Sequence, residues 1–323
     1  MVPRGGAGVR VRRLFSLPKA RADWMGSAGA GQPKIELERV CIDFPTRTGP
    51  LPVLKDVDLF AREGEFVTII GPSGCGKSTL LNVIAGLEHP SSGSIRFDGL
   101  PAARRIGTVA YMPQKDLLMP WRSVLDNTIL GLEVQGVPRS TARKRAMALF
   151  ELFGLQGFEG AYPATLSGGM RQRAAFLRTV LTDRQIMLLD EPFGALDALT
   201  RSSMQEWLLR VWDGLHKTIL FITHDVDEAV LLSDRVYVLT ARPGRVKLVL
   251  DIGLPRPREY QTVTSDRFNR LKAELLDSIR EEARKAMDED LLELTGRAEG
   301  RKAAGKTTSA DEVARLGRER RGR

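Results

Sequence analysis

Ile35-Glu-Leu37-Glu alternates apolar and polar residues with the period of two that a strand with one buried face requires. Val57, Leu59 and Phe66–Ile70 continue a β-rich opening, and before Lys34 no such period is found. A helix is predicted over Lys77–Ala85, then a short strand closed by a turn from Gly93 to Gly99, then a strand from Ile106 to Tyr111. From about Leu117 to Leu181 the pattern becomes helical. It predicts helices over Val124–Leu132, Ala142–Phe153 and Gly169–Leu181, with Pro138 and Pro163 as breaks. Ile186–Leu189 returns to a buried strand. A helix around Leu199–Trp212, a strand at Thr218–Ile222, a helix after His224 and strands near Val236–Leu239 and Val246–Leu250 follow. Strands and helices alternating on either side of a helical stretch predict an α/β protein: a parallel sheet with a helical subdomain spliced into it. Beyond the Pro-rich Leu254–Pro257, Ser265 and Asp266 open a last helix. Its apolar positions Phe268, Leu271, Leu275, Ile279, Ala283 and Met287 recur at helical steps. This helix is expected to dock on its own domain or to serve a dimer or regulatory contact. No internal repeat is visible.

The run Phe66–Ile70 leads directly into Gly71-Pro-Ser73-Gly74-Cys75-Gly76-Lys77-Ser78-Thr79. A β-prone run, a glycine-rich turn and a Lys-Ser opening a helix make a phosphate-binding loop. The glycines let the backbone curl so that several N–H groups converge on phosphate oxygens, and the helix adds its positive end. Lys77 is placed for the β- and γ-phosphates and the Ser78 hydroxyl for Mg²⁺, so the chain is expected to bind a nucleoside triphosphate. Ile186-Met-Leu-Leu-Asp190-Glu191 supplies the second half of a hydrolase site. A fully buried strand fixes two carboxylates at its end, Asp190 for the Mg²⁺ shell and Glu191 to polarise a water. Alone such a run is a weak signal; downstream of a phosphate loop it reads as catalytic.

Leu166-Ser167-Gly168-Gly169-Met170-Arg-Gln-Arg173 resembles the signature motif of ATP-binding cassette (ABC) ATPases, and the rest of that family's set follows in order. Gln114 matches the glutamine loop, Ala195-Leu196-Asp197 resembles the D-loop, and Thr223-His224-Asp225 carries the switch histidine. Phe44 matches the aromatic that stacks on adenine, where the family commonly has Tyr. Two departures stand out: Met170 replaces the usual Gln, and Gly194 lies where the family often shows Ser. The resemblance covers roughly residues 34–255. It implies a P-loop NTPase with a RecA-like parallel core, an antiparallel β subdomain and the inserted helical subdomain. The nucleotide would then lie on Phe44, the loop residues 71 and 73–79, and, in trans, Ser167, Gly168, Gly169 and Asp197. Ser78, Gln114 and Asp190 would hold Mg²⁺, with Glu191, His224, Lys77 and Gln114 as the catalytic set.

By the same resemblance the working unit is a head-to-tail dimer, since one copy of each motif cannot complete a site. The segment Lys115-Asp-Leu117-Leu118-Met-Pro-Trp121-Arg122 falls where the family receives its membrane permease. Trp121 beside Leu117 and Leu118 forms that groove or packs within its own chain. The stretch Tyr111 to Asn127 is similar to importers of the nitrate, sulfonate and taurine type, within them to those of pyrimidine precursors of thiamine. A substrate-binding protein would then be an indirect partner. The expected division is an extension over 1–32, the ATPase domain over 33–255 with its helical subdomain at about 115–182, a helical extension over 256–295 and a tail over 296–323.

Charge changes this picture little. Of the net +9, residues 1–32 carry +5 and residues 297–323 another +5, which leaves the body at −1. Basic Gly/Ala-rich ends read as disordered tails, against a loose affinity for anionic lipid or RNA. A neutral body has no phosphate-binding stripe, so no nucleic-acid partner is expected. This weighs against a soluble ABC ATPase acting on DNA ends or ribosomes, and intact Glu191 and His224 weigh against a non-hydrolysing regulator. No apolar run approaches the ~18 residues that cross a bilayer. The expectation is a peripheral protein on the cytoplasmic face of the inner membrane. Cys41 and Cys75 are the only cysteines and are expected as reduced thiols. The Arg-rich first segment, with Met25 inside it, reads as an over-long start or a transit peptide.

Overall fold

The computed structural model describes residues 32–47, 49–194 and 196–286. The extension expected over 1–32 (Gln32 apart), the tail over 296–323, Ala195 and Met287 lie outside the described residues. In chain order the first strands are β1 (Ile35–Thr46), β2 (Gly49–Ala61), β3 (Phe66–Ile70), β4 (Ser92–Phe97) and β5 (Leu100–Pro101). They are followed by β6 (Ala110–Met112), β7 (Ile186–Asp190), β8 (Thr218–Ile222), β9 (Arg235–Leu239) and β10 (Val246–Asp251). The helices are α1 (Lys77–Ala85), α2 (Val124–Thr128), α3 (Leu130–Val134), α4 (Arg139–Phe150), α5 (Gly168–Leu181), α6 (Ala198–Leu215), α7 (Val226–Leu232) and α8 (residues 266–286).

Two sheets result. One is antiparallel, in the order β2-β1-β4-β5; the other runs β10-β9-β3-β8-β7-β6 and is parallel apart from its edge strand β10. β3, β7, β8 and β9 are buried along their whole length, as a parallel sheet covered on both faces demands. Their two-residue period divides them between two cores. Val67, Ile69, Leu188, Leu220, Ile222, Tyr237 and Leu239 meet α1 and the antiparallel sheet. Phe66, Met187, Leu189, Ile219, Phe221, Val236 and Val238 meet α5, α6 and α7. Phe268 and Leu275 of α8 are buried in that second core, with Leu271 and Ile279 packed at its edge.

Between β6 and β7 all the regular structure is helical. The Phe153, Phe176 and Trp207 rings pack with centroids 4.9–6.1 Å apart and join this segment to α6. Trp207 Nε1 donates to the Leu152 carbonyl at 2.9 Å, so its polar edge is satisfied.

Two elements differ from the periodicity reading. The strand expected from Ile106 is confined to Ala110–Met112, because Gly107 turns left-handed (φ 80°) and Ile106 is 74 % exposed. The Arg105 guanidinium pins that turn to α1 by donating to the Val83 carbonyl at 2.9 Å. The helix expected over Val124–Leu132 is two short helices divided at Ile129. Pro138 stands in the break between α3 and α4, as expected, and at the start of α4 its missing N–H costs nothing.

Candidate active site

β3 ends at Ile70, and the chain curls through the loop into α1. Gly74 (φ 76°) and Gly76 (φ 102°) hold left-handed conformations that side chains oppose. Gly76 is the N-cap of α1 and offers no side chain to its free N–H groups, and no acidic residue lies in the first turn. The positive end of the helix is therefore left for an external anion. Lys77 is only 7 % exposed, and its Nζ folds back to donate to the Gly71 and Pro72 carbonyls, each at 2.9 Å. The Cys75 Sγ lies 3.9 Å from that amine, and burial pushes its thiol up from the ordinary value. Ser73 and Ser78 are exposed and Thr79 half-buried along the same mouth.

Asp190 ends β7 and is only 4 % exposed. Burial lifts its pKa above the ordinary carboxylate value, against the lowering pull of a hydrogen bond from Ser78. Its Oδ1 is buried without a hydrogen-bond partner. A desolvated, half-partnered carboxylate beside a hydroxyl and a lysine is a hard-cation donor set, so these residues fit Mg²⁺. Glu191 follows in a left-handed conformation (φ 45°), secured by its N–H donating to the Ile222 carbonyl at 3.0 Å. Its Oε2 accepts from Gln114 Nε2 at 3.0 Å and lies 3.4 Å from His224 Nδ1. Gln114, Glu191 and His224 follow β6, β7 and β8, so three adjacent parallel strands deliver them to one edge of the sheet. A Cβ at Gly194 would lie 3.5 Å from Glu191 Oε2 and 3.7 Å from His224 Cε1, ordinary contact distances.

The remaining expected residues sit elsewhere. Ser167 caps α5, its Oγ accepting from Met170 N–H at 3.2 Å, and Asp197 caps α6 by accepting from Thr200 N–H at 3.0 Å. That cap holds the Asp197 carboxyl below its ordinary value. Gly168 and Gly169 form the first turn of α5, and Gly169 is buried. Among the described residues, no hydrogen bond or ion pair joins Ser167, Gly168, Gly169 or Asp197 to the phosphate loop. Phe44 is half-buried against the first core. Trp121 is 73 % exposed, with Leu117 exposed and Leu118 buried, so the indole does not pack within its own chain. Arg178 of α5 holds that segment by donating to the Asp116 and Leu117 carbonyls at 2.5 and 2.8 Å.

Behind His224 lies a network in which Glu228, Gln205 and Arg201 belong to no motif. Thr223 Oγ1 donates to Glu228 Oε2 at 2.5 Å, and Gln205 Nε2 donates to Glu228 Oε1 at 3.0 Å. Arg201 Nη2 donates to the Leu196 carbonyl at 3.1 Å, and its Nη1 lies 3.4 Å from Asp225 Oδ2. The only signal in sequence is Glu228 falling in phase with the apolar Leu231 and Leu232 of α7.

Fold and site define a phosphate-loop nucleoside triphosphatase. Residues 54–194 match the family model described as ABC transporter. The chain is 42 % identical over 238 residues to the nitrate import ATP-binding protein NrtD of Synechococcus elongatus (72 % of this chain, 87 % of that one). It is 42 % identical over 229 residues to the formylaminopyrimidine import ATP-binding protein ThiZ of Halalkalibacterium halodurans (71 % and 89 %). It is 39 % identical over 242 residues to the aliphatic sulfonates import ATP-binding protein SsuB of Bacillus cereus (75 % and 94 %). A solved dimeric ATP-binding cassette in a post-hydrolysis state with ADP and Pi superposes with a TM-score of 0.60 at 29 % identity, covering 68 % of this chain and 98 % of that one. The chain belongs to the ABC transporter ATP-binding family and is an ATP-binding ATPase. No helix among the described residues is long and apolar enough to cross a membrane.

Proposed function

We propose that the chain energises import of a small solute, of the nitrate, sulfonate or taurine, or pyrimidine-precursor type, through a separate permease. Relatives named for three different cargoes match at 39–42 % identity, so cargo is left to the binding protein and permease. The observation that carries the reading is the meeting of Gln114, Glu191 and His224 beside the orphaned Asp190 oxygen at the mouth of the phosphate loop.

In this reading the amides of residues 71–79 and Lys77 bind the β- and γ-phosphates, and Phe44 stacks on the base. Ser78, Asp190 and Gln114 would hold Mg²⁺, which would supply charge neutralisation at the phosphates. Glu191 orients the attacking water and accepts its proton; His224 and Gln114, both on Oε2, fix that carboxylate in place. Ser167, Gly168, Gly169 and Asp197 serve the nucleotide of a second copy, in a head-to-tail dimer. Closure of that dimer on ATP and its reopening after hydrolysis would shift the permease between two states. Trp121 and Leu117, both exposed, would offer the permease contact, and the chain would then work at the cytoplasmic face of the inner membrane. The ATPase unit spans residues 33–255 with the helical subdomain at about 115–182, and residues 256–295 are an extension.

Phosphate release by wild type and Glu191→Gln tests this. The variant should bind ATP with wild-type affinity and turn over slower by about 10²–10⁴, the usual worth of a general base. Equal rates would remove Glu191 from the role.

A further inference from the structure

The turn joining β9 to β10, residues 240–245, touches the phosphate loop directly. Gly244 N–H donates to the Val53 carbonyl at 2.8 Å, and its own carbonyl accepts from Lys55 N–H at 3.0 Å, which seats the turn against β2. A Cβ at Gly244 would overlap the Cys75 carbonyl oxygen. At the other end of the turn, a Cβ at Gly71 would come within 2.9 Å of the Leu239 carbonyl oxygen. Loop and turn are therefore packed without slack, and a shift of one must displace the other. The turn itself is closed by Thr240, whose N–H donates to the Arg245 carbonyl at 2.9 Å and whose Oγ1 accepts from Arg245 N–H at 3.0 Å.

From the opposite side the turn is held by α8. The Glu282 carboxylate, 2 % exposed, accepts from Ala241 N–H at 3.1 Å and from Lys247 Nζ at 2.8 Å. Lys247 also donates to the Ser278 carbonyl at 3.2 Å and to Glu281 Oε2 at 2.6 Å. Phe268 and Leu275 already dock this helix through apolar burial. A buried carboxylate adds little adhesion, because its desolvation offsets most of its pairing. What it adds is direction: one backbone N–H of the turn is held at one place.

We infer that Glu282 is a positioning residue through which α8 braces the phosphate loop, by way of the 240–245 turn, and so sets the affinity for nucleotide phosphates. This rests on the reading that the loop holds nucleotide.

The test is equilibrium binding of the non-hydrolysable analogue AMP-PNP with Mg²⁺ to the full chain, beside steady-state ATPase kinetics. Glu282→Ala should weaken binding roughly tenfold, a loss of about 1.4 kcal/mol. Gly244→Ala, which forces the turn and the phosphate loop apart at Cys75, should move it in the same direction. Glu282→Gln, which keeps an acceptor for Ala241 N–H but loses the charge facing Lys247, should fall between. None of these residues touches the reacting atoms, so the change should appear in KM with kcat kept within about twofold. Lys285→Ala, which contacts Glu282 but not the turn, should bind as wild type. Unaltered affinity in a folded Glu282→Ala overturns the brace, whatever its melting temperature and whatever Gly244→Ala does. If Glu282→Ala does not fold, Glu282→Gln and Gly244→Ala decide alone. A Lys77→Ala chain that binds as tightly as wild type would overturn the nucleotide reading of the loop, and the brace with it. Loss of binding in Lys77→Ala beside an unaltered Glu282→Ala sinks the brace alone.

Discussion

Glu228 is an acid where an apolar side chain would fit, 3 % exposed on α7 and engaged by Thr223 and Gln205. Thr223 adjoins His224 and Gln205 belongs to the helix that follows Asp197, so one carboxylate ties together two segments of the proposed site. Removing it in Glu228→Ala orphans both partners and should cost about 1–3 kcal/mol, read as a lowered unfolding midpoint. The pH dependence has a definite sign. Burial lifts the carboxyl above its ordinary value of 4.5, against the lowering pull of Thr223 and Gln205. The folded chain thus holds this proton more tightly than the unfolded one. The resulting stabilisation is full below about pH 4.5 and declines as pH rises through the raised folded value. Glu228→Gln keeps amide contacts to both neighbours and does not titrate. Its melting temperature relative to wild type should therefore climb from pH 4.5 to 7, and a constant difference across that window would contradict the assignment. Glu228, Arg201 and Glu282 escape a reading of the sequence because each acts on a residue brought near by the fold. Gly71 to Thr79 is legible because all its chemistry lies within nine consecutive residues.

At the scale of elements, α5 and α6 approach as closely as Gly169 permits. A Cβ there would lie 2.7 Å from Thr200 Cγ2, a methyl on a stiff β-branched side chain. Alanine would gain under about 1 kcal/mol of helix propensity, against about 1–3 kcal/mol of overpacking, so Gly169→Ala should be net destabilising. Adding Thr200→Ser removes the obstructing methyl and keeps the backbone N–H that caps on Asp197. The double variant should regain most of the lost melting temperature; failure to do so would place the strain elsewhere. Elements fully buried on both faces, such as Phe66–Ile70 and Thr218–Ile222, coincide with their apolar runs, since nothing but strand fits so short an unbroken stretch. Ile106 misleads because its apolar side chain projects into solvent from a turn fixed by Arg105, and periodicity cannot register a hydrogen bond to Val83.

For the whole molecule, the proposed division of labour between Lys77 and Ser167 makes a demand that a single chain cannot meet. If each nucleotide lies between the phosphate loop of one copy and the signature of the other, the two motifs need not share a polypeptide. Lys77→Ala disables the loop and leaves the signature; Ser167→Arg blocks the signature and leaves the loop. Each variant alone should be inactive, because every site in its dimer has one defective half. Mixed in equal amounts, half of the dimers become heterodimers, in which one site joins two intact halves and the other two defective ones. Phosphate release should then recover to about one quarter of wild type, provided that one site works independently in this two-fold assembly. Sites built within a single chain predict no recovery on mixing, at any ratio or concentration. Leu199, 80 % exposed at the start of α6 and two residues after Asp197, marks the surface such a seam would cover. Light scattering with Mg²⁺ and ATP on the Glu191→Gln chain should accordingly report twice the mass, and Leu199→Glu should return it to the monomer.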